Sequence, residues 1–193
     1  MTFSIIIPAH NSAGFIRKAL DSVKCQTYTD YELIVVCDSC VDKTEEIARE
    51  YTNNVIITDF HSDGPARNVG LDAASGDWIL HMDDDDWWLH EYVLEQLAGR
   101  VGKQDEDLLR FSFIWKCKSY TSCGDYFAVW NKCWRREFFK DVRFDYLPKN
   151  NDVPYHRKAM ALNPKIADWD MPMYYYNYMR TGSLSWKQKN GIL

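Results

Sequence analysis

Hydrophobic and polar positions alternate in regular blocks over the first hundred residues of the chain. Four short apolar runs have the length and composition of buried strands, and we predict those strands at 3–9, 31–37, 55–60 and 77–82. The stretches between and after them carry apolar residues at helical spacing, and we predict helices at 12–26, 42–51, 64–75 and 89–101. Strict alternation of strand and helix indicates crossover connections, and hence a mainly parallel sheet covered by helices on both faces.

The starts of these helices carry local capping signals. Ser12 is available as the N-cap of the first helix, and Asp42 and Glu45 stand at the spacing of a capping box in the second. Pro65 lies near the first position of the third helix, where its missing N–H is tolerated. Each signal predicts that a helix begins a few residues after a strand ends.

Beyond residue 105 the pattern becomes less regular. We predict a strand at 107–116, short helices at 133–139 and 153–162, and a late, tyrosine-rich strand at 171–179. No internal repeat, low-complexity tract or linker interrupts the 193 residues, and this length suits one compact domain. We therefore expect a single α/β domain, 1–193, whose two halves pack as one body.

Composition narrows the class of protein. The hydrophobic content of 46% is enough for a real core, and the net charge of −5 argues against a nucleic-acid binder, which normally carries a basic stripe. No apolar run approaches the roughly 20 residues that span a bilayer, and the N-terminal sequence has no signal-peptide pattern. Six scattered cysteines in a chain with an ample core favour a reduced, cytosolic protein.

Polar side chains collect directly after the predicted strands. His10 and Asn11 follow the first strand, Asp38 follows the second, Asp59 follows the third, and the acids Asp83–Asp86 follow the fourth. Ligands of open parallel sheets bind beyond the carboxyl ends of the strands. The sequence therefore predicts a polar binding site along this edge.

The run Asp83–Asp86 is more than a helix cap requires. Capping needs one carboxylate, or two, and contributes about 1 kcal/mol. Two unit charges about 4 Å apart repel by roughly 4 kcal/mol at the effective dielectric of a protein surface. A hard divalent cation would relieve that repulsion, and magnesium-like ions bind one or two carboxylates together with water and phosphate. We interpret the run as a site for a metal and a phosphate.

A competing motif is the C-D-S-C sequence from Cys37 to Cys40. A C-x-x-C pair between a strand and a helix is also typical of thiol redox proteins, although it can simply be two small residues on a turn. Zinc would need two further ligands, and the remaining cysteines, including Cys117, Cys123 and Cys133, show no second C-x-x-C pair. A thiol redox protein therefore stays open as an alternative function.

Taken in order, several stretches resemble the family 2 glycosyltransferases of the GT-A fold. The first three are S-I-I-I-P-A-H-N at 4–11, I-V-V-C-D-S-C-V-D-K-T at 34–44, and G-P-A-R-N-V-G at 64–70 with the acids that follow it. The later three are V-W-N-K-C-W-R-R-E-F-F at 129–139, N-N-D-V-P-Y-H-R-K-A-M-A at 150–161 and Y-Y-Y-N-Y-M-R-T-G-S-L-S at 174–185. The resemblance covers most of the chain, and the order and spacing of the pieces make it specific.

The resemblance implies a fold and an activity. It implies a GT-A sheet with helices on both faces, a nucleotide-sugar-binding half at 1–104 and an acceptor-side half at 105–193. The implied activity is inverting, metal-dependent transfer of a sugar from a nucleotide-diphosphate sugar, a UDP-sugar for preference, to a hydroxyl acceptor. The implied cofactor is Mn²⁺ or Mg²⁺. The implied acceptor is a glycan or a lipid-linked molecule, in polysaccharide or glycolipid assembly, with peripheral contact at the inner face of the membrane.

The resemblance also assigns roles to residues. Asp83 and Asp85 would hold the metal, Asp86 would orient the site, and Asp152 would be the general base that takes the proton of the acceptor hydroxyl. From its position alone Asp152 could equally cap the helix that follows. The residues assigned to the nucleotide are Pro8, Ala9, Asn11, Asp38, Arg67, Asp83 and Asp84.

The chain departs from the family pattern at several positions. Cys37 replaces the first aspartate of the acidic nucleotide loop, Cys40 replaces its serine, and Lys43 replaces its glycine. Asn151 replaces the usual glutamate before Asp152. A non-catalytic module that binds a nucleotide or a glycan is therefore a second hypothesis. A nucleotidyltransferase, which also uses carboxylate-bound metal, is a third.

Overall fold

A computed structural model gives the arrangement of the chain and describes residues 1–115, 118–121, 126–148, 150–178, 180–181 and 189–191. The strands are β1 Phe3–Ala9, β2 Tyr31–Asp38, β3 Val55–Thr58, β4 Trp78–His81, β5 Trp87–Trp88, β6 Leu108–Trp115, β7 Lys118–Thr121, β8 Lys132–Arg135 and β9 Ile166–Tyr176. The helices are α1 Ile16–Lys24, α2 Thr44–Arg49, α3 Asp63–Ala73, α4 Val93–Arg100, α5 Arg136–Phe139 and α6 Asp152–Ala161. The predicted Ser-Leu-Ser tail, Cys117 and Cys123 lie outside the described residues.

All of these strands belong to one mixed sheet in the order β3-β2-β1-β4-β8-β6-β9-β5, with β7 paired to β6. The strands β1 to β4 run parallel, as predicted, whereas β8 runs antiparallel to both β4 and β6. The strand β9 runs parallel to β6 and pairs at its far end with the short strand β5. The sheet is therefore continuous from the first half of the chain into the second.

The core lies on both faces of this sheet. In β1, Ile5 and Ile7 pack into the cluster that includes Leu20 of α1, while Ile6 packs on the opposite face with Ala66 of α3. This alternation follows from the two-residue period of a strand, and it explains why the N-terminal strands are uninterrupted apolar runs. None of the helices formed by the described residues is both long and apolar enough to cross a lipid bilayer.

Two local predictions are wrong. The stretch 133–139 is not one helix, because Lys132–Arg135 forms β8 and only Arg136–Phe139 is helical. Pairing with β4 and β6 holds Cys133 and Trp134 in the middle of the sheet, which outweighs the helical spacing of the segment. Ser12 does not cap α1 through its side chain, since the helix begins at Ile16 with Phe15 at the N-cap.

The capping box predicted at the second helix is also not formed as such. The helix α2 begins at Thr44, and Lys43 occupies its N-cap position without a side-chain cap. Asp42 instead accepts hydrogen bonds from the backbone N–H of Thr44 at 2.9 Å and from that of Ala13 at 3.0 Å. It therefore ties the start of α2 to the loop before α1.

Candidate active site

The four acids Asp83–Asp86 lie just beyond β4, at the carboxyl edge of the parallel strands. Asp84 accepts a hydrogen bond from the backbone N–H of His10, at 3.2 Å, in the loop after β1. Asp86 is fully buried, and the other three are partly exposed. The turn after β4 therefore lies against the loop after β1, at the edge where the sequence predicts a binding site.

The end of the chain's last strand crosses this turn and supplies donors to it. The hydroxyl of Tyr174 donates to Asp86 at 2.7 Å and accepts from the backbone N–H of Asp83 at 3.0 Å. The backbone N–H of Asn177 donates to Asp86 at 2.8 Å, and Nε of Arg180 donates to Asp85 at 2.7 Å. Tyr174, Asn177 and Arg180 thus hold three of the four acids in place.

Arg67 ties the acids to the start of α3. Its guanidinium is only 4% exposed, donates to Asp83 at 2.5 Å and forms a second ion pair with Asp63, one turn earlier on the same helix. Burial lowers the pKa of Arg67, but the charges of Asp63, Asp83 and Asp152 more than offset this and raise it overall. Arg67 is therefore a permanently charged brace for Asp83.

Asp152 lies at the first position of α6, facing the same cluster. Its Oδ2 accepts a hydrogen bond from the backbone N–H of Val129 at 3.2 Å, and the charge of Arg67 acts on it. It does not cap α6 through a side-chain hydrogen bond, because the N-cap position is Asn151 and carries none. The two carboxyls therefore share one electrostatic environment: the charge of Asp152 raises the pKa of Asp83, and the charge of Arg67 acts to lower the pKa of both.

The residue before Asp152 explains one departure from the family pattern. Asn151 is buried, and its side-chain amide donates to Asp63 at 2.6 Å and to the carbonyl of Leu147 at 3.1 Å. A glutamate at this position would place a second carboxylate against Asp63. Gly64 makes this approach possible, since a Cβ there would lie 2.6 Å from the carbonyl of Asp145 and 2.7 Å from Asn151 Oδ1.

The pKa values of the acids are strongly perturbed, chiefly because the carboxyls are buried. Burial, followed by Asp152 and Asp85, raises the pKa of Asp83 to about 7 against the opposing effect of Arg67. Burial and Asp85 raise the pKa of Asp84 to about 8. Burial also raises the pKa of Asp86 and of Asp152 above the ordinary value. Such a cluster favours a cation or a proton at neutral pH.

The loops after β1 and β2 form the adjoining part of the site. Ala9 and Pro8 are buried at the end of β1, while Asn11 is exposed and accepts a hydrogen bond from the backbone N–H of Val41 at 2.8 Å. One ring nitrogen of His10 lies 2.7 Å from the carbonyl oxygen of Asp38. The two loops are therefore locked together beside Asp84.

Asp38 itself is buried and braces the loop that leads into α3. Its carboxylate accepts from the hydroxyl of Thr58 at 2.9 Å and from the backbone N–H groups of Phe60 at 2.6 Å and Ser62 at 2.8 Å. A nucleotide base would have to share these oxygens. The observed contacts give Asp38 a structural role at the edge of the predicted pocket.

A divalent cation suits the side chains of Asp83 and Asp85. One oxygen of each is bound by a guanidinium, from Arg67 and from Arg180, and a carboxylate can accept further contacts through its other oxygen. Among the described residues, no three histidine, cysteine or acidic side chains are arranged as a ready metal centre. Ions of the magnesium type use one or two carboxylates and complete their shell with water and phosphate, which is the donor set that this pair offers.

Three residues of the site were not identified from the sequence. Tyr174 is one of several neighbouring tyrosines, and no pattern distinguished it as the one whose hydroxyl contacts the acids. Arg180 and Asp63 are ordinary charged residues in the sequence. Arg180 lies 95 positions from Asp85, to which it donates a hydrogen bond. Asp63 lies 20 positions from Asp83, and Arg67 forms an ion pair with both. Tyr174 and Arg180 reach the acids only through the folding of the second half of the chain, whereas Asp63 lies one turn before Arg67 on α3.

The fold is shared with solved glycosyltransferases. TarS of Staphylococcus aureus in complex with UDP-GlcNAc aligns with a TM-score of 0.80 at 24% identity, covering 95% of this chain and 60% of that one. The mannosyltransferase PcManGT of Pyrobaculum calidifontis, solved with GDP-Man and Mn²⁺, aligns with a TM-score of 0.76 at 15% identity, covering 97% and 60%. Together with the site at the carboxyl edge, these similarities define the protein as one of the GT-A fold.

Sequence comparison shows the family. The family described as "Glycosyl transferase family 2" matches residues 4–167, and the chain belongs to this family. It is 26% identical to the glycosyltransferase GlyA of Streptococcus pneumoniae over 96% of this chain and 32% of GlyA. It is 28% identical to the PGL/p-HBAD biosynthesis glycosyltransferase of Mycobacterium tuberculosis, over 98% of this chain and 78% of that protein. The chain thus spans about a third of GlyA.

Proposed function

We propose that this chain catalyses inverting, metal-dependent transfer of a sugar from a UDP-sugar to a hydroxyl group of a glycan or lipid-linked acceptor. The observation that carries the proposal is the clustering of Asp85 and Asp152 near Asp83, which is paired with Arg67 at the carboxyl edge of the parallel strands. Solved relatives of the same fold have UDP-GlcNAc, or GDP-Man with Mn²⁺, bound, which supports a nucleotide sugar as donor.

The donor would bind where the loops after β1, β2 and β4 meet. Pro8, Ala9 and Asn11 would line the nucleotide, with Asp38 holding the loop beneath the base. Asp84, which already contacts the loop after β1 through His10, would lie near the ribose. Arg67 would act through Asp83 rather than on the nucleotide, since both of its terminal nitrogens are occupied by carboxylates.

A Mn²⁺ or Mg²⁺ ion held by Asp83 and Asp85 would supply Lewis-acid stabilisation of the leaving diphosphate. Arg180 shares Asp85 and would hold that carboxylate in place. Asp152 would take the proton of the acceptor hydroxyl, and the raised pKa of its carboxyl makes it a stronger base than an ordinary aspartate. The backbone N–H of Val129 would keep one of its oxygens fixed while the other faces the acceptor.

We place this activity in polysaccharide or glycolipid assembly in the cytoplasm, with the acceptor presented at the inner face of the membrane. Relatives named for poly(ribitol-phosphate) glycosylation and for PGL/p-HBAD biosynthesis support an acceptor of this class. Cys25, Cys37, Cys40 and Cys133, the cysteines among the described residues, are free thiols, which fits a reducing compartment.

Calorimetry with UDP tests the metal site. In the presence of Mn²⁺ we expect UDP to bind roughly tenfold or more tightly than in EDTA, a difference of about 1.4 kcal/mol or more. Asp85→Asn should abolish this gain. Asp168→Asn is the matched control, because Asp168 also accepts from an arginine Nε, that of Arg110, at 2.6 Å. Equal UDP affinity with and without Mn²⁺, or an unchanged gain in Asp85→Asn, would contradict the metal site.

One observation favours a second candidate, a module that binds a nucleotide sugar without turnover. Both candidate metal ligands already have a guanidinium partner, so the site is partly neutralised without a cation. A module of this kind would bind UDP-sugar but release no UDP on addition of any acceptor. Product analysis would also separate sugar transfer from nucleotide transfer, which leaves the nucleotide on the product.

A further inference from the structure

Two thiols lie in contact at the edge of the predicted nucleotide pocket. Cys37 stands in β2 directly beside Ala9 of β1, and Cys40 follows three residues later in the loop. Both are free thiols in the structure, and Cys37 is completely buried while Cys40 is partly exposed. The sulfur of Cys40 lies 3.4 Å from the carbonyl oxygen of Ala9. One thiol is therefore partly open to solvent and the other is closed off from it.

The surroundings of the two sulfurs are unequal. The thiol of Cys37 donates a hydrogen bond to the sulfur of Cys40, and the backbone N–H of Asn11 donates to the same sulfur. These donors lower the pKa of Cys40 to about 7, although burial and Asp42 act in the opposite direction. The contact with Cys40 and burial raise the pKa of Cys37. At neutral pH the accessible sulfur is partly a thiolate, and its buried partner keeps its proton.

We propose that Cys37 and Cys40 form an oxidative modification site, at which a peroxide converts the pair to an intramolecular disulfide and thereby weakens nucleotide-sugar binding. The formation of the disulfide depends only on the two thiols. Its effect on binding rests on the function proposed above, and the two claims are measured separately.

The reaction balances with peroxide as the oxidant. The Cys40 thiolate attacks one peroxide oxygen, the O–O bond breaks, and Cys40 becomes a sulfenic acid as hydroxide takes up a proton and leaves as water. The sulfur of Cys37 then attacks the sulfenic sulfur, forming the S–S bond. The second hydroxide leaves with the proton of Cys37 as water. Two thiols are oxidised, and one peroxide is reduced to two waters.

The disulfide would act on the pocket through the loop contacts of Cys40. In the reduced protein this sulfur bonds Ala9 and Asn11, both of which we assign to the nucleotide. Asn11 in turn holds the backbone of Val41, the next residue after Cys40. Drawing Cys40 toward Cys37 breaks these contacts on both sides of the loop, and Asp38 lies between the two cysteines. The loops after β1 and β2 would no longer be locked together.

The test uses the full chain with Cys25→Ser, because exposed Cys25 shares a tryptic peptide with the pair. The protein is treated with hydrogen peroxide, alkylated and digested. We expect the peptide spanning 25–43 to lose two mass units and to resist alkylation until dithiothreitol is added. UDP affinity, measured by calorimetry on the same samples, should fall roughly tenfold or more on oxidation and recover on reduction.

Two variants make the outcome decisive. Cys40→Ser, which restores the serine typical of the family, should bind UDP normally and keep its affinity after peroxide. Cys37→Ala should leave Cys40 without a resolving partner, so that peroxide adds oxygen atoms to the peptide and forms no disulfide. Free thiols at both positions after peroxide, or a disulfide that leaves UDP affinity unchanged, would overturn the proposal. If the reduced protein binds no UDP, the proposed function fails while the thiol chemistry remains measurable.

Discussion

The two edges of the parallel strands carry acids in opposite electrostatic states. At the amino edge, Glu32 accepts hydrogen bonds from the hydroxyl of Ser4 at 2.6 Å and from the backbone N–H groups of Ser75 at 2.6 Å and Gly76 at 3.2 Å. Burial raises the pKa of Glu32, but these donors outweigh it, and the pKa is lowered overall. At the carboxyl edge, burial and neighbouring acids raise the pKa of Asp83 and Asp84.

The difference shows what separates a structural acid from a functional one in this fold. Both edges use the same residue chemistry, and both acids are partly buried. The donors around Glu32 come from the neighbouring strand β1 and from the segment before β4, and they satisfy its charge within the fold. Around Asp84, burial and the charge of Asp85 outweigh the hydrogen bonds from His10 and Ser12. Uncompensated charge is therefore confined to the edge where the ligand of an open parallel sheet is expected.

The largest expected effect follows from removing the proposed base at the carboxyl edge. Asp152→Asn should lower the rate of sugar transfer by about 10²–10⁴-fold, the usual contribution of a positioned general base. UDP affinity should be unchanged, because Asp152 belongs to the acceptor side. UDP release from the donor sugar that gives the largest thermal shift measures the rate.

Asp145→Asn is the control for this change. Asp145 is an exposed acid that pairs with Lys158, which lies on the same helix, α6, as Asp152. Its loss therefore tests for a general effect of charge near that helix. Its transfer rate should match that of the unaltered chain. A full rate in Asp152→Asn would show that Asp152 only fixes the loop that carries Val129.

The second prediction concerns stability. Neutralising an acid should stabilise the protein at the carboxyl edge and destabilise it at the amino edge. Asp84→Asn should raise the free energy of unfolding by roughly 1–3 kcal/mol at pH 8, allowing for the partial exposure of the side chain. Because the folded pKa of about 8 lies above the unfolded value, stability is full at low pH and is lost as the pH rises toward 8. The gain of the variant should therefore grow from about pH 4 to about pH 8.

Thermal unfolding of both proteins in EDTA at several pH values measures this gain. For a chain of this length, each 1 kcal/mol corresponds to roughly 2–4 °C in Tm. The same substitution should weaken UDP binding, since Asp84 is assigned to the donor. A Tm difference that does not change with pH would mean that Asp84 is not protonated in the folded state.

The parts of the fold that could be predicted are those formed by residues close together in the sequence. The runs around Ile5–Ile7 and Leu33–Val36 identify the parallel strands, because each is buried on both faces by helices adjacent in the sequence. The edge acids follow directly from the strand ends. The antiparallel half depends on distant partners, and β8 forms only because β4 and β6 lie on either side of it.

The site shows the same difference between features set by nearby residues and features set by distant ones. The run Asp83–Asp86 was identified from its crowding within four residues, and the family resemblance singled out Asp83 and Asp85, whereas two of the groups that contact these acids are remote. Tyr174 reaches Asp86 across 88 positions, and Arg180 reaches Asp85 across 95. No short-range pattern marks a tyrosine or an arginine for such a contact. The crowding of negative charge at the edge was visible in the sequence, but of its partners only Arg67 was named there.

A third prediction concerns the last residue of β4, directly below the acids. His81 is buried against Phe144 and Tyr155, and neither of its ring nitrogens has a hydrogen-bond partner among the described residues. Burial and the charge of Arg67 lower its pKa, so the ring is neutral. His81→Leu should raise the free energy of unfolding by about 1–2 kcal/mol, since it removes unsatisfied buried polar atoms at similar volume.

Denaturant unfolding at pH 7.5 in EDTA checks this value, because the ring is neutral there and the acids carry no metal. UDP affinity, measured on the same variant, reports separately on the neighbouring acids. A loss of stability in His81→Leu would mean that the ring contacts with Phe144 and Tyr155 contribute more than the unpaired nitrogens cost.

The smallest expected effect completes the comparison at the amino edge. Glu32→Gln should lower the free energy of unfolding by about 1 kcal/mol at pH 7, because the amide oxygen still accepts bonds but without charge, while its N–H₂ group faces donors. The folded pKa of Glu32 lies below the unfolded value, so its contribution is present above about pH 4.3 and is lost as the pH falls through that range. The cost should therefore vanish in acid, where the gain of Asp84→Asn also vanishes. A stability gain at pH 7 in Glu32→Gln would mean that the two edges do not differ in the way their contacts indicate.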